Sequence, residues 1–283
     1  MVTTSKRPAS SSRSPPIYVL HPDGLQTVYL PLQEFLRFSP GNAKLQDRGI
    51  AIFSLPAGYT CPGASECHSM FDRSIGKIVD GAAMRFRCYA ASLEARYPAL
   101  RNIVDNNQRL LREAGTEAKM RELIRISLPA AYFDKIRIHQ DGDFFNMDYF
   151  KAWINTAKAN PDRLFYAYTK SIHLWIRMRD ELPPNFVLTA SKGGLFDALA
   201  DKHGLRSATV VFHPDEAEAN GWKIDHDDSL AMDPDEPSFG LLIHGPQPPG
   251  SDASIAQKVM RDAGIVYSYS QKSQQGHTPG EKL

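Results

Sequence analysis

Residues 136–171 read IRIHQDGDFFNMDYFKAWINTAKANPDRLFYAYTKS and decide the fold class of this chain. The stretch begins with a short apolar run at 136–139, which is typical of a strand. Residues 148–160 then carry apolar side chains at helical spacing, and Pro161 ends that pattern. A second apolar run follows at 164–168. The order strand, helix, strand predicts a βαβ unit, in which both strands lie parallel in one sheet.

The same alternation continues on both sides of this unit. Short apolar runs predict further strands at 50–55, 186–189, 208–212 and 239–243, with helices between the later ones. We therefore predict an α/β fold in the form of a partial (βα) barrel of about six parallel strands. A doubly wound parallel sheet would give the same spacing and stays an alternative.

Local composition sets the predicted domain limits. Residues 1–16 are rich in Ser, Pro and Thr and have almost nothing to bury, so we predict a disordered N-terminal arm. Residues 270–283 are similarly polar and predict a flexible tail. Residues 17–269 are then expected to form a single α/β barrel-like domain, with a cysteine-containing loop at 56–90.

Charge and hydropathy narrow the classes of partner. The chain of 283 residues has 33 Lys and Arg against 32 Asp and Glu, a formal net charge of +1. Nucleic acid is possible as a partner, but this net charge does not support it. No run approaches the roughly 20 apolar residues that span a bilayer, and no apolar core follows Lys6 and Arg7 as in a secretory signal. The odd number of cysteines predicts reduced thiols and a cytoplasmic protein.

All three cysteines of the chain lie in the loop at 56–90, at positions Cys61, Cys67 and Cys88. The first two flank a Pro-Gly turn after the predicted strand 50–55, so we expect both sulfurs to project from one loop. Three thiolates that leave one coordination position open can hold a site-differentiated iron–sulfur cluster. Three thiolates with a histidine, either His139 or His213, would instead form a closed zinc site. Three unrelated buried thiols are the remaining interpretation.

Polar residues follow the predicted strands at the same end. Active sites of parallel α/β folds lie at the carboxyl ends of the strands, so we expect these residues to form a rim that binds substrate or cofactor. The predicted rim comprises His139, Asp141, Asp143, Thr169, Lys170, Ser191 and Lys192. Ordinary glycine-containing turns at 141–143 and 191–194 are the plain structural alternative. His213 and His244, which end the last two strands, are interpreted as ordinary strand-end residues.

Several short motifs together resemble the gene product 88 family of phages and bacteria. The resemblance covers about residues 40–192, and its motifs are specific in combination although each is short. The motifs are NAKL at 42–45, FSLPAG at 53–58, TCPGA at 60–64 with Cys67, CYA at 88–90, IRIH at 136–139, GDF at 142–144, YF at 149–150 with Trp153, and FYAYTKS at 165–171. The resemblance implies a phage-type protein, in the host cytoplasm if a phage encodes it.

The cysteine pattern is in turn similar to that of divergent radical S-adenosylmethionine (SAM) proteins. In those proteins, three cysteines follow the first barrel strand, and an aromatic residue follows the last of them. They hold a [4Fe–4S] cluster whose open iron binds SAM, which is cleaved to a 5′-deoxyadenosyl radical. The resemblance implies that Tyr89 is the aromatic residue and that the metal ligands are Cys61, Cys67 and Cys88.

Two features depart from the radical SAM pattern. Cysteines of that pattern are spaced by three and two residues, whereas five residues separate Cys61 from Cys67 and twenty separate Cys67 from Cys88. Residues 69–87 are therefore an insertion, which a loop tolerates at a small entropic cost. The chain also has no Gly-Gly-Glu run after the second strand, and we hypothesise that residues 141–143 take its place.

These observations predict an iron–sulfur, radical-SAM-like enzyme with a [4Fe–4S] cluster and SAM as its cofactors. Its substrate is unknown, and a nucleotide, a nucleic acid and a peptide are all open. The first alternative is a zinc-stabilised phage protein that binds a host or nucleic-acid partner. The second alternative is a hydrolase that uses a carboxylate-bound metal at His139, Asp141 and Asp143.

Overall fold

The computed structural model describes residues 17–21, 24–28, 34–41, 45 and 48–265. The chain divides into two compact units between Phe35 and Leu36. The first unit contains an antiparallel hairpin, formed by β1 (Ile17–His21) and β2 (Gly24–Val28). The arm predicted at 1–16 and the tail predicted at 270–283 lie outside the described residues, and the predicted domain limits stay a prediction.

The second unit is built on one large sheet and one small hairpin. The strands are, in chain order, β3 (Phe38–Ser39), β4 (Ile50–Phe53), β5 (Ser69–Asp72), β6 (Lys77–Asp80), β7 (Lys135–Ile138), β8 (Leu164–Thr169), β9 (Phe186–Ser191), β10 (Ser207–Val211) and β11 (Phe239–Leu242). The small hairpin pairs β5 with β6, and the other seven strands form the large sheet.

The strands of the large sheet follow the order β3-β4-β7-β8-β9-β10-β11. The edge strand β3 pairs antiparallel with β4, and the remaining neighbours are parallel. From β4 onward, each strand of the large sheet lies beside the strand of that sheet that precedes it in the chain. The described strands therefore do not reverse their order as those of a doubly wound sheet do. The predicted α/β class with a mostly parallel sheet is confirmed.

Helices connect the parallel strands. They are α1 (Tyr89–Arg96), α2 (Pro98–Ala114), α3 (Glu117–Ser127), α4 (Met147–Lys158), α5 (Ile172–Arg177), α6 (Asp197–Lys202), α7 (Pro214–Ala219), α8 (Ser229–Met232) and α9 (Asp252–Asp262). The α4 helix begins where Asn146 accepts a hydrogen bond from the Tyr149 backbone N–H, and α2 ends at Gly115 in the left-handed conformation. Over the described ranges, no helix combines the length and apolar character needed to cross a bilayer.

Both faces of the sheet are covered, which explains why its strands are largely apolar. Neighbouring residues of one strand enter different cores, because side chains alternate along a strand. On β8, Phe165 packs with Trp153 of α4, whereas Tyr166 packs with Ala231 of α8 on the opposite face. Each large side chain that is fully buried in this way contributes about 1.5–3 kcal/mol.

Asn107 of α2 connects the edge of the sheet to the start of the cysteine loop. Its Oδ1 atom accepts a hydrogen bond from the Arg37 backbone N–H at 2.8 Å. Its Nδ2 atom donates to the carbonyl oxygens of Arg37 at 3.0 Å and of Ser54 at 3.1 Å. One buried side chain therefore satisfies three backbone groups from two different segments.

We expect Asn107→Ala to lower the free energy of unfolding by about 3 kcal/mol, because it leaves three backbone groups without their partner. Urea denaturation of the full chain measures this change. Asn102→Ala removes an exposed side chain from the same helix and serves as the control. Equal effects of the two substitutions would contradict the linking role of Asn107.

Candidate functional site

A cavity of about 440 Å³ lies at the carboxyl ends of the parallel strands. The residues that follow β7, the last residues of β8 and β9, and the ends of β10 and β11 all contribute to its lining. Parallel strands bring their carboxyl ends to one edge of a sheet, which explains this convergence. The cavity is therefore in the region that the sequence predicted.

The predicted site residues are brought together, with one exception. Those that line the cavity are Cys61, Cys67, Cys88, Tyr89, His139, Asp141, Asp143, Thr169, Lys170 and Ser191. Lys192 is not among the lining residues: its ammonium group bonds Asp201, and its carbonyl oxygen accepts a hydrogen bond from Lys170. His213 lies at the start of α7, where its Nδ1 atom accepts from the Asp215 backbone N–H.

The three thiols share the cavity and affect one another electrostatically. Burial is the largest cause that raises the pKa of Cys61, and Asp143, Cys88 and Cys67 raise it further. Burial and then Cys67 raise the pKa of Cys88 to about 12. In the described part of the chain, no three His, Cys, Asp or Glu side chains are grouped closely enough to hold one metal ion.

A folded hairpin accounts for the long gap between the second and third cysteines. In the β5–β6 hairpin, Ser69 lies directly opposite Asp80, so the inserted chain leaves and returns at the same place. The backbone N–H groups of Arg85 and Phe86 both donate to the carbonyl oxygen of Glu66. The Cys88 N–H donates to the Ser69 hydroxyl at 3.4 Å. Cys88 therefore returns to the neighbourhood of Cys67 despite the sequence separation.

Backbone contacts fix the first part of the cysteine loop to the loop after β9. The Glu66 N–H donates to the Gly193 carbonyl oxygen at 3.0 Å, and the Leu195 N–H donates to Gly63 at 2.9 Å. Gly63 also lies against Lys170, and a Cβ atom at this position would come within 2.3 Å of the Lys170 carbonyl oxygen. Only a glycine allows this approach without a shift of the backbone.

Asp143 is occupied by protein donors. Its Oδ1 atom accepts from the Phe144 N–H at 2.7 Å and from the Thr169 hydroxyl at 2.6 Å, and its Oδ2 atom accepts from the Lys170 N–H at 2.8 Å. Burial raises the pKa of Asp143 to about 6, although these hydrogen bonds act in the opposite direction. Asp143 therefore positions the loop after β7 against the end of β8.

Asp141 has a different environment in the same loop. It is buried, and neither carboxylate oxygen accepts a hydrogen bond of full geometry from the described residues. Burial and then Glu94 raise its pKa to about 7, whereas Arg137, Tyr89 and Gln140 act to lower it. A buried carboxylate without donors is costly to the fold and is typical of a position that binds a ligand.

Lys170 is fully engaged within the protein, whereas His139 is engaged through one ring nitrogen and its buried Nδ1 atom has no partner among the described residues. The Nε2 atom of His139 lies 2.8 Å from the Tyr149 hydroxyl, and burial lowers the pKa of this imidazole to about 3. The Lys170 ammonium donates to the carbonyl oxygen and hydroxyl of Ser191 and to the carbonyl oxygen of Lys192. An ammonium group has three donors, so Lys170 has none left for a ligand.

The structure adds residues to the cavity that the sequence did not indicate as functional. Arg137, in the middle of β7, forms a buried ion pair with Asp228 at 2.7 Å, and the Tyr166 hydroxyl donates to the same carboxylate at 3.0 Å. His244 packs on the Tyr89 ring with 4.6 Å between centroids. A charged residue between two isoleucines in a predicted strand was the available signal for Arg137.

We expect Asp141→Asn to flatten the pH dependence of stability between pH 4 and 7. The pKa of about 7 in the folded protein exceeds the ordinary 3.8, so the folded state retains a proton that the unfolded state has released. The stabilising contribution of this carboxyl is therefore complete below pH 4 and is lost as the pH rises through 7.

Urea denaturation at pH 5 and pH 8 measures this effect. The Asn variant is expected to exceed the original protein by roughly 2 kcal/mol at pH 8 and by less at pH 5. Asp162→Asn, at an exposed turn, is the matched control and should follow the original protein. Parallel pH profiles for the Asp141 variant and the original protein would contradict the raised pKa.

We expect Gly63→Ala to destabilise the protein by about 2 kcal/mol or more, because the new Cβ atom collides with the Lys170 backbone. Gly76→Ala is the control: it introduces a positive-φ alanine, at about 1 kcal/mol, with no atom within 4 Å. Urea denaturation compares the two variants. A smaller loss for Gly63→Ala than for Gly76→Ala would show that the contact is not tight.

Comparison with known proteins identifies the family of this chain. The model of the "Gene product 88" family matches residues 34–264. The chain is also similar to the "Gene 88 protein" of Mycobacterium phage L5, with 35% identity over 94 residues. That alignment covers 29% of this chain and 38% of the phage protein, so it spans well under half of the relative's length. No solved structure matches the chain. Because the family model covers most of the sequence, the chain belongs to the gene product 88 family.

Proposed function

We propose that this protein is an iron–sulfur enzyme of the radical SAM type, with Cys61, Cys67 and Cys88 as cluster ligands. The observation that carries the proposal is that all three thiols line one cavity, together with the strand-end polar residues. All three cysteines are free thiols of intermediate burial. Thiolates are the ligands that iron–sulfur clusters use.

The donor set fits a cluster chemically. Desolvation disfavours the charged form of each thiol, and the thiolates of Cys67 and Cys88 would raise the pKa of Cys61 further. A bound cation centre would remove this penalty, because metal coordination favours the deprotonated thiol. The ligands of a cluster stand apart by the width of the cluster, so it does not require three sulfurs within reach of a single ion. When bound, the cluster supplies the electron for reductive cleavage of SAM.

The sheet topology supports the partial barrel that this proposal needs. The strands from β4 to β11 follow one another without reversal, and α4, α5 and α6 contribute to the core on one face. Arg137 and Tyr168 line the cavity from strands of the same sheet. In a partial barrel, strands of this order would bring their carboxyl ends around one site.

The neighbouring residues have separate roles in this proposal. Tyr89 follows Cys88 directly, packs on His244, and donates its hydroxyl proton to the Gln140 carbonyl oxygen. It thereby holds the third cysteine against the loop after β7. Asp141 is the group available to bind the cofactor, because its oxygens lack full protein hydrogen bonds. Thr169, Lys170 and Ser191 shape the cavity through bonds with one another and with Asp143.

The two alternative functions receive less support from the geometry. A carboxylate-metal hydrolase needs free oxygens on Asp143, but both accept hydrogen bonds from Phe144, Thr169 and Lys170. A zinc site that uses His213 needs that residue in the cavity, and His213 is not among the residues that line it, whereas His139 is. The zinc alternative therefore depends on His139 and stays a prediction.

Metal analysis of protein purified without oxygen tests the proposal. We expect about four irons and matching sulfide per chain, with a visible spectrum that changes when SAM is added. Cys61→Ala, Cys67→Ala and Cys88→Ala should each abolish most of the iron, because a cluster loses its anchorage with any one ligand.

His213→Ala is the control for this experiment and should retain full iron content, since its side chain lies outside the cavity lining. Full iron content in Cys88→Ala would show that the third cysteine is not a ligand of the cluster. One zinc per chain in a colourless solution would overturn the iron–sulfur proposal.

A further inference from the structure

Two buried groups of opposite charge face the cavity with unused hydrogen-bonding capacity. Asp141 is 2% exposed, and both of its oxygens lack a full partner among the described residues. The Arg137 side chain is 11% exposed, and its Nε atom has no partner within the same ranges. A guanidinium group carries five N–H donors, and the Asp228 contact uses only an Nη1 donor.

The other charged groups of the lining are engaged elsewhere. The Lys170 ammonium is bonded to Ser191 and Lys192, and both oxygens of Asp143 accept hydrogen bonds from protein donors. Arg87 forms an ion pair with Asp80 of the hairpin. Arg137 and Asp141 are thus an oppositely charged pair in the described lining, each with polar atoms that the protein does not use.

The remaining wall of the cavity is apolar. Phe86, Leu93, Val210, Leu241 and Ile243 contribute this part of the lining. Cavities of a few hundred Å³ with an apolar wall and few polar groups are typical small-molecule sites, in which the polar groups fix orientation. A volume of about 440 Å³ therefore suits a small organic molecule with one polar end.

We propose that the cavity binds a small zwitterion whose ammonium group contacts Asp141 and whose carboxylate contacts Arg137. An α-amino acid, or a molecule that carries an α-amino-acid end, has both groups close together. Arginine binds carboxylates through paired N–H donors, and a carboxylate with two open oxygens accepts an ammonium group. The apolar part of the ligand would contact the apolar residues of the lining.

Two sources of this chemistry fit the site. The amino-acid end of SAM is one source, and a separate amino-acid substrate is the other. The inference itself stands on Arg137 and Asp141, so it does not require that the cysteines hold a cluster. The proposed function and this inference can fail independently of each other.

Isothermal titration calorimetry of the purified full chain tests the inference. The probes are SAM, 5′-methylthioadenosine, which has the nucleoside without the amino-acid end, and the twenty protein amino acids. Amides of any amino acid that binds remove the carboxylate, and N-acetyl derivatives remove the ammonium charge. The iron content of each preparation is measured in parallel.

The variants are Arg137→Gln, Asp141→Asn and the double variant Arg137→Gln with Asp228→Asn. The double variant avoids an unpaired buried carboxylate at Asp228, so it separates loss of binding from loss of folding. Lys192→Ala is the matched control, because this charged residue is not part of the cavity lining.

We expect at least one zwitterionic probe to bind, and each cavity variant to weaken it by about tenfold or more, which is 1.4 kcal/mol or more. Binding of 5′-methylthioadenosine should be unaffected by the same variants. If SAM binds and none of the free amino acids binds, the site is assigned to the amino-acid end of SAM. Binding of an amino acid while 5′-methylthioadenosine is present at saturation assigns it to a separate substrate.

Absence of binding by every zwitterionic probe would overturn the inference. Equal affinity for an amino acid and its amide, or unchanged affinity in the folded double variant, would also overturn it. Zwitterion binding by protein without iron would keep the inference and reject the proposed cluster. Protein that contains iron but binds no zwitterion would support the proposed cluster and overturn the inference.

Discussion

The carboxylate of Asp143 is the interaction on which the arrangement of the site depends. It accepts hydrogen bonds from the Phe144 backbone, the Thr169 hydroxyl and the Lys170 backbone, and so ties the loop after β7 to the end of β8. Lys170 then reaches the end of β9 through Ser191, and its backbone lies against Gly63 of the cysteine loop. Three strand ends and the thiol-bearing loop are therefore positioned by one buried acid and the residue that it holds.

Two aspartates separated by one residue have different roles because of the glycine between them. Gly142 has a φ of 86° and lies so close to Leu55 and Thr60 that a Cβ atom would overlap both. The Asp141 carbonyl oxygen accepts from the Leu55 N–H at 2.8 Å, which fixes the backbone there. The chain then turns, so that Asp143 meets protein donors while Asp141 lines the cavity without them.

The sequence predicted the alternation of strands and helices and the edge of the sheet at which polar residues gather. Both follow from local patterns, since an apolar run indicates a strand and its end indicates where the following side chains lie. Local patterns do not show which side chains of the site are bonded within the protein and which are left for a ligand. Asp143 and Lys170 were predicted to bind a ligand; in the folded chain Asp143 accepts from the Thr169 hydroxyl, and the Lys170 ammonium donates to Ser191. Only the folded chain shows which donors reach which acceptors.

Arg137 and Asp228 are cavity residues that local sequence patterns did not indicate as functional. Arg137 lies inside a strand rather than after it, and Asp228 belongs to an acidic stretch that reads as solvated surface. Their contact joins residues 91 positions apart and requires the whole sheet to be formed. The β5–β6 hairpin was likewise only an insertion in the sequence, because strands of four residues are too short for their alternation to stand out.

The tip of that hairpin is a suitable attachment site for a label on the intact protein. Ile75 is 58% exposed, and no atom lies within 4 Å of a side chain built at Gly76. Four residues per strand place the tip about 13 Å from the point where Ser69 meets Asp80. A fluorophore attached at this turn would stand clear of the core and could report, by energy transfer, on any chromophore bound near the thiols. The inserted segment could thus serve as an optical probe of what the thiols bind.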